Sequence, residues 1–163
     1  MQIEIVQRHP IVRVITDKFK GYYIDNEGTI MPLSSKYTSR VLIANGNIKP
    51  SKEWSKKISI QNIETTQEQE LLNSIYQLAS YIKQDRFWDA QIQQIYVNES
   101  LEFELIPQVG AHTILFGTAK RLEEKFEKLK YMYSEGLKKE GWNKYKTLDL
   151  RYKKQVVATK HKA

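Results

Sequence analysis

Between residues 92 and 116 three strand-length apolar runs follow one another, separated only by Asn98-Glu99-Ser100 and by the turn Pro107 to Gly110. Ile92, Ile95 and Val97 mark the first run, Leu101 to Leu105 the second and His112 to Phe116 the third. Turns this short leave no room for a crossover helix, so the block reads as antiparallel. Its middle run is the clearest: Leu101, Phe103 and Leu105 alternate with Glu102 and Glu104, the period of a half-buried strand. Asn98-Glu99-Ser100 also spells a glycosylation sequon, but between two such runs it reads as a turn.

A helix-period segment stands on each side of this block. Before it, Leu71, Leu72, Ile75, Leu78, Ala79 and Ile82 recur at spacings of three and four, which gathers them on one face. Thr66 and Gln69 match a capping box at its start. The helix should end near Asp85, with Arg86-Phe87-Trp88-Asp89 as a break. After the block, a second helix is expected from about Thr118. Leu122, Phe126, Leu129 and Tyr133 form its stripe, with Met132 beside them, and Glu124 and Lys128 form an i,i+4 pair on its outside. Gly136 and Gly141 offer stops. The N-terminal third reads as strands at Ile3–Ile5 and Ile11–Ile15, a hairpin turning at Asp25-Asn26-Glu27-Gly28, and a short strand from Arg40 to Ala44 closed by Asn45-Gly46-Asn47. Residues 45–63 lack a period and read as a surface connection. The order defines an α+β fold, an antiparallel or mixed sheet with two main helices packed on one face.

The chain then closes on LDLRYKKQVVATK. Leu148, Leu150 and Tyr152 alternate with Asp149 and Arg151; two lysines interrupt; Gln155 to Thr159 resumes. Two strands are expected here, with lysines at their junction.

Composition excludes much. The 163 residues suit one domain, and 40% hydrophobic content is enough for a core. No apolar run reaches the roughly 18–20 residues that span a bilayer, so the chain reads as soluble or as the soluble part of an anchored protein. Without cysteine there is no disulfide, thiol nucleophile or thiolate metal site. His9, His112 and His161 share no spacing that aims two of them at one metal. Glu102 and Glu104 are the polar side of a strand, and Glu123, Glu124 and Glu127 a charged helix face. Gly117-Thr118-Ala119-Lys120 lacks the glycine spacing of a phosphate loop. No catalytic residue, metal or cofactor is expected, which points away from an enzyme. The net charge of +7 favours an anionic partner, yet the lysines are interleaved with nineteen acids. A basic module binding nucleic acid or an acidic lipid surface therefore stands only as the alternative reading.

Several segments, in order, carry a resemblance: Arg8-His9-Pro10-Ile11-Val12-Arg13, Tyr23 to Ile30, Phe103 to Pro107, His112 to Gly117, Lys120-Arg121-Leu122-Glu123-Glu124-Lys125 and Leu148-Asp149-Leu150-Arg151-Tyr152. Together the chain resembles the β-domain of the bacterial cell-division family FtsQ, called DivIB in Gram-positives. Its lysine-rich composition and its tail, Thr159 to Ala163, are similar to the Bacteroidota branch. The resemblance implies a membrane protein with a cytoplasmic tail, one inner-membrane helix, a POTRA domain and this periplasmic β-domain. Residues 1–10 would then be the end of the POTRA-like domain and its junction strand, and residues 11–163 the β-domain. The chain would be anchored only through an N-terminal helix it does not include.

The implied function is a non-enzymatic divisome scaffold that holds FtsB-like and FtsL-like bitopic partners and, through them, the septal peptidoglycan synthase complex. Nucleic acid is not an implied partner. The partner docks by β-strand addition at the C-terminal strand. Arg151 and Tyr152 match the family's Asp-Leu-Arg-Tyr motif. The implied binding set extends through Lys153, Lys154, Gln155, Val156, Val157 and Ala158, with Arg121 at the opening of the second helix. The family often has a glycine turn after the tyrosine, where this chain has Lys153-Lys154-Gln155, and an aromatic of some relatives falls on Lys160. Backbone pairing therefore carries over better than side-chain contacts. Two alternatives stay open: Tyr152 as an ordinary core or edge tyrosine, and Lys153 and Lys154 as guards against edge aggregation.

Overall fold

The computed structural model describes residues 7–16, 20–36, 38–49, 57–64 and 66–162. The expected strand at Ile3–Ile5 lies outside them, as does most of the expected POTRA remnant. Strands β1 (Pro10–Ile15), β2 (Gly21–Asp25), β3 (Thr29–Pro32), β4 (Leu42–Gly46) and β5 (Ile58–Ser59) lead through a 3₁₀ turn, Ile60–Asn62, into helix α1 (Thr66–Gln84). Helix α2 (Arg86–Gln91), strands β6 (Ile92–Val97), β7 (Phe103–Pro107) and β8 (Thr113–Gly117), and helix α3 (Leu122–Tyr131) follow. A π-helical turn, Met132–Leu137, runs into α4 (Lys138–Glu140), and β9 (Tyr145–Asp149) and β10 (Val157–Lys160) close the chain.

All ten strands form one sheet in the order β10-β9-β8-β7-β6-β4-β1-β2-β3-β5. The tight turns give antiparallel neighbours, β6 with β7 and β7 with β8. Each main helix is instead the crossover between parallel neighbours, α1 from β4 to β6 and α3 from β8 to β9. Both crossovers move the same way along the sheet between strands of the same direction. Right-handed connection therefore puts both helices on the same face. They meet there through Tyr81 of α1, stacked on Phe126 of α3 with ring centroids 4.6 Å apart. The expected α+β class is observed, as a mixed sheet.

The α1 stripe is buried as its period requires: Leu72, Ile75, Leu78, Ala79 and Ile82 are all shielded from water. The capping box expected at Thr66 rests on a side chain outside those described, but the other half of the pair, Gln69, is placed. Its amide donates to the carbonyls of Ile60 and Gln61, tying α1 to the 3₁₀ turn. The expected break at 86–89 is a helix. Asp85 accepts from the amides of Phe87 and Trp88, restarting the chain as α2 and burying Trp88 against Phe126 and Tyr133. The connection over 45–63 is not all surface, since Ile48, Ile60 and Ile63 are buried. The second helix opens at Leu122 and passes through Gly136; Gly141, at φ 99°, ends it.

The first hairpin turns as expected. Asp25, wholly buried, accepts from the amides of Glu27 and Thr29 and from Arg8 at 2.6 Å. Gly28 takes the φ of 76° that this turn needs.

Candidate functional site

The C-terminal corner is assembled by three elements. Strand β9 lies parallel to β8, and β10 lies antiparallel to β9 in the register Val157–Asp149, Ala158–Leu148 and Thr159–Thr147. Strand β10 is the last in the sheet order, so its outer side has no neighbour among the described residues. Helix α3 overhangs the connection between β9 and β10.

The connection differs from the expected strand. Leu148 and Leu150 are buried, but β9 stops at Asp149, and Tyr152 leaves their face to stand 49% exposed. Tyr152 is thus not a core tyrosine. Strand β10 begins at Val157, so Gln155 and Val156 precede it. Val156 and Ala158 pack partly against the core, while Val157 is 43% exposed. Lys153, Lys154 and Gln155 are exposed. Arg121 caps α3 from the left-handed region, at φ 57°. The nine expected residues therefore lie along one corner, in the turn and strand rather than in two strands.

Arg151 is held by acids. Its guanidinium donates to both carboxylate oxygens of Asp149, the shorter bond 2.7 Å, and to Glu102 at 3.2 Å. Its stem lies over Gly117, where a Cβ would come within 2.8 Å of Arg151 Cγ. Burial pushes the Asp149 carboxyl up, but the bonds from Arg151 outweigh it and hold the group below its ordinary value. Arg151 is correspondingly raised, first by its bond to Asp149.

The N-cap residue of α3 and two residues of the helix reach the same connection, one turn after another. Arg121 donates to the Arg151 carbonyl at 3.0 Å and to Glu124. Glu124 accepts from the Lys154 amide at 3.3 Å; that bond is the first cause holding its carboxyl below the usual value. Lys128 donates to the carbonyls of Leu150 at 3.1 Å, Tyr152 and Gln155 at 3.3 Å. Sequence reading placed Lys128 on the outside of the helix. Its pairing with Glu124 is present at 3.6 Å, but its side chain is only 13% exposed because it points at those carbonyls.

Two further polar groups escaped the sequence reading. Lys125 is buried beneath α3, donates to the Thr118 carbonyl at 2.7 Å and sits 4.7 Å from the Phe116 ring centroid. Burial pulls its pKa down to about 8. His112 Nε2 lies 3.0 Å from the Tyr133 hydroxyl, and burial lowers the imidazole and raises the phenol. Among the described residues no group of three or more His, Asp or Glu side chains is placed to hold a metal ion.

The fold and this corner define an α+β domain whose mixed sheet ends in an exposed strand beside a turn held by a helix. The chain belongs to the FtsQ/DivIB C-terminal related family, whose model matches residues 9–159. No curated protein matches it. Membership supports a role in cell division, within a family of membrane-anchored, non-enzymatic division scaffolds that carry an extracytoplasmic domain. Among the described residues no helix is long and apolar enough to cross a membrane.

Proposed function

We propose that this chain is the partner-holding, periplasmic β-domain of a division scaffold of the inner membrane, and that an extended segment of an FtsB-like or FtsL-like bitopic protein adds to β10. The observation that carries the reading is the combination at the sheet edge. Among the described residues strand β10 has no neighbour on its outer side, and two of the six exposed large hydrophobic residues, Tyr152 and Val157, lie at this edge. An open edge supplies backbone donors and acceptors, and the exposed apolar side chains supply selectivity. Lys153, Lys154 and Lys160 are exposed there, while Asp149, Glu102 and Glu124 are already engaged by Arg151, Arg121 and Lys128. Lys160 is partly offset by Glu140, and the charge left over on Lys153 and Lys154 is basic, which favours an acidic partner strand. The septal peptidoglycan synthase complex would be reached through that partner.

The test is calorimetric titration with a synthetic peptide of the C-terminal extracytoplasmic segment of the cell's own FtsB-like protein. Tyr152→Ala should weaken binding by about tenfold or more, the scale of a buried aromatic anchor. Proline introduced in turn at positions 156, 157 and 158 should weaken it too, with circular dichroism unchanged. Full affinity in all four variants would remove β10 as the site. Binding that collapses with added salt and ignores peptide sequence would favour a basic anion-binding module instead.

A further inference from the structure

We infer that Lys128, with Glu124 and Arg121, is a positioning clamp that holds the β9–β10 connection in its binding-ready shape without itself contacting the partner. The inference rests on the docking reading above. An ammonium group has three donors and no acceptor. Lys128 aims at three backbone carbonyls, those of Leu150, Tyr152 and Gln155, which belong to the start, middle and end of the same connection. Charge-assisted bonds of this kind are about twice as strong as neutral ones; the Lys128 side chain is mostly covered, and its bond to Leu150 is partly buried while those to Tyr152 and Gln155 face solvent.

A second observation points the same way. Three described residues other than glycine have positive φ: Leu101, Arg121 and Lys154. Two of them are the ends of this contact. Arg121 and Lys154 both sit at φ 57°, a conformation that disfavours any residue with a Cβ. Each is held there by the clamp, Arg121 through the Arg151 carbonyl and Lys154 through Glu124. Strain persists only where the surroundings over-determine it. The clamp thus imposes on Lys154 a turn that glycine would adopt unaided, and that turn sets where Tyr152 stands and where β10 begins.

A segment fixed before the partner arrives does not have to be ordered on binding, so removing the clamp should weaken binding through the free state. Lys128→Met keeps the apolar stem and removes the donors. Amide hydrogen exchange between residues 151 and 156, followed by NMR in the free protein, should speed by roughly tenfold, while exchange in β6 and β7 is unchanged. Affinity for the same peptide should fall by roughly tenfold, the scale of one lost charge-assisted hydrogen bond. Because Lys154 itself belongs to the docking set, Lys154→Gly measured alone is the reference: Lys128→Met should cost far less affinity in that background than in the unmodified protein, since glycine holds the turn without the clamp, whereas a merely structural lysine would cost the same in both. Unchanged exchange in Lys128→Met overturns the clamp. Faster exchange with full affinity overturns its role in binding, as does a Lys128→Met loss of equal size in the unmodified and Lys154→Gly backgrounds. If the unmodified protein does not bind the peptide, the docking reading fails and the clamp's part in docking fails with it, while the exchange result still decides whether the clamp exists.

Discussion

The two ends of the sheet are finished differently. At one end β5 is two residues long and turns at once into the 3₁₀ segment, whose Ile60 is buried and donates its amide to the Gly28 carbonyl at 3.0 Å. Gln69 of α1 covers the carbonyls of Ile60 and Gln61. At the other end β10 runs four residues, three of them exposed, and its last loop is held open by a helix instead of being folded over the edge. A short, covered edge discourages pairing, and a longer bare one invites it. Within one sheet, the lesson is that an edge becomes a docking surface by what its neighbours leave uncovered.

The closed end is the one whose failure should cost most. Asp25 organises the β2–β3 turn on which β5 hangs, and it does so while wholly buried. Asp25→Ala leaves the amides of Glu27 and Thr29 and the Arg8 guanidinium without their acceptor. The expected loss is about 2 kcal/mol, mostly from the partly buried amides of Glu27 and Thr29 left without their acceptor. Urea unfolding should show it. A loss below about 1 kcal/mol would mean that water replaces the carboxylate, and that the closed edge does not depend on this turn.

Acid should separate the open edge from the interior. His112 has its folded value lowered by burial, so its contribution to stability is full above its ordinary value near 6.5 and is lost as pH falls through the lower folded value. Asp149 and Glu124 are also held low, so theirs is full above the ordinary carboxylate value near 4 and is lost as pH falls through folded values below it. Two steps are expected in an NMR titration. Resonances around Tyr133 should respond first, below pH 6.5, and those of residues 149–154 only in stronger acid. His112→Gln should abolish the first step and leave the second. A single step, or the reverse order, would refute the assignment.

How much of this was legible in the sequence follows from what a side-chain pattern can encode. The β7 alternation put Phe103 and Leu105 inside, and the α1 stripe put Leu72, Ile75 and Leu78 there, because burial of apolar side chains is what those periods record. Trp88 was read as a break because its helix is only six residues long, too short for a period, and is started by one cap at Asp85. Nothing in the sequence marks Lys125 for burial, since lysine is seldom buried, and only the fold brings the Thr118 carbonyl to it. The corner residues from Arg151 to Ala158 enter as candidates through motif likeness alone, and the structure gathers them without showing what they bind. The clamp was not found, because its acceptors are the backbone carbonyls of Leu150, Tyr152 and Gln155. Every residue carries a carbonyl, so no residue type announces one; the Glu124–Lys128 spacing showed a pair on a helix and nothing of what the lysine faces.

The smallest effect on stability is also the one that tells apart two readings of the bare edge. Lys153 and Lys154 extend into solvent at the head of β10. As guards they would keep copies of the protein from pairing edge to edge; as steering charges they would speed an acidic partner. Replacing both by glutamate keeps the edge charged, so it stays guarded, but reverses the field an acidic strand would meet. Stability should change by no more than about 0.5 kcal/mol, as for exposed positions generally. The peptide's association rate, followed by stopped flow, should fall several-fold at low salt and converge on the unmodified rate as salt is raised, since screening removes steering between exposed charges. Replacing both by serine removes guard and field together. If the serine pair aggregates on light scattering while the glutamate pair binds at the unmodified rate, the lysines guard the edge and do not recruit the partner. If the glutamate pair slows and neither variant aggregates, their charge serves docking, and the shortness of β10 with its register shift at Thr159–Lys160 is protection enough.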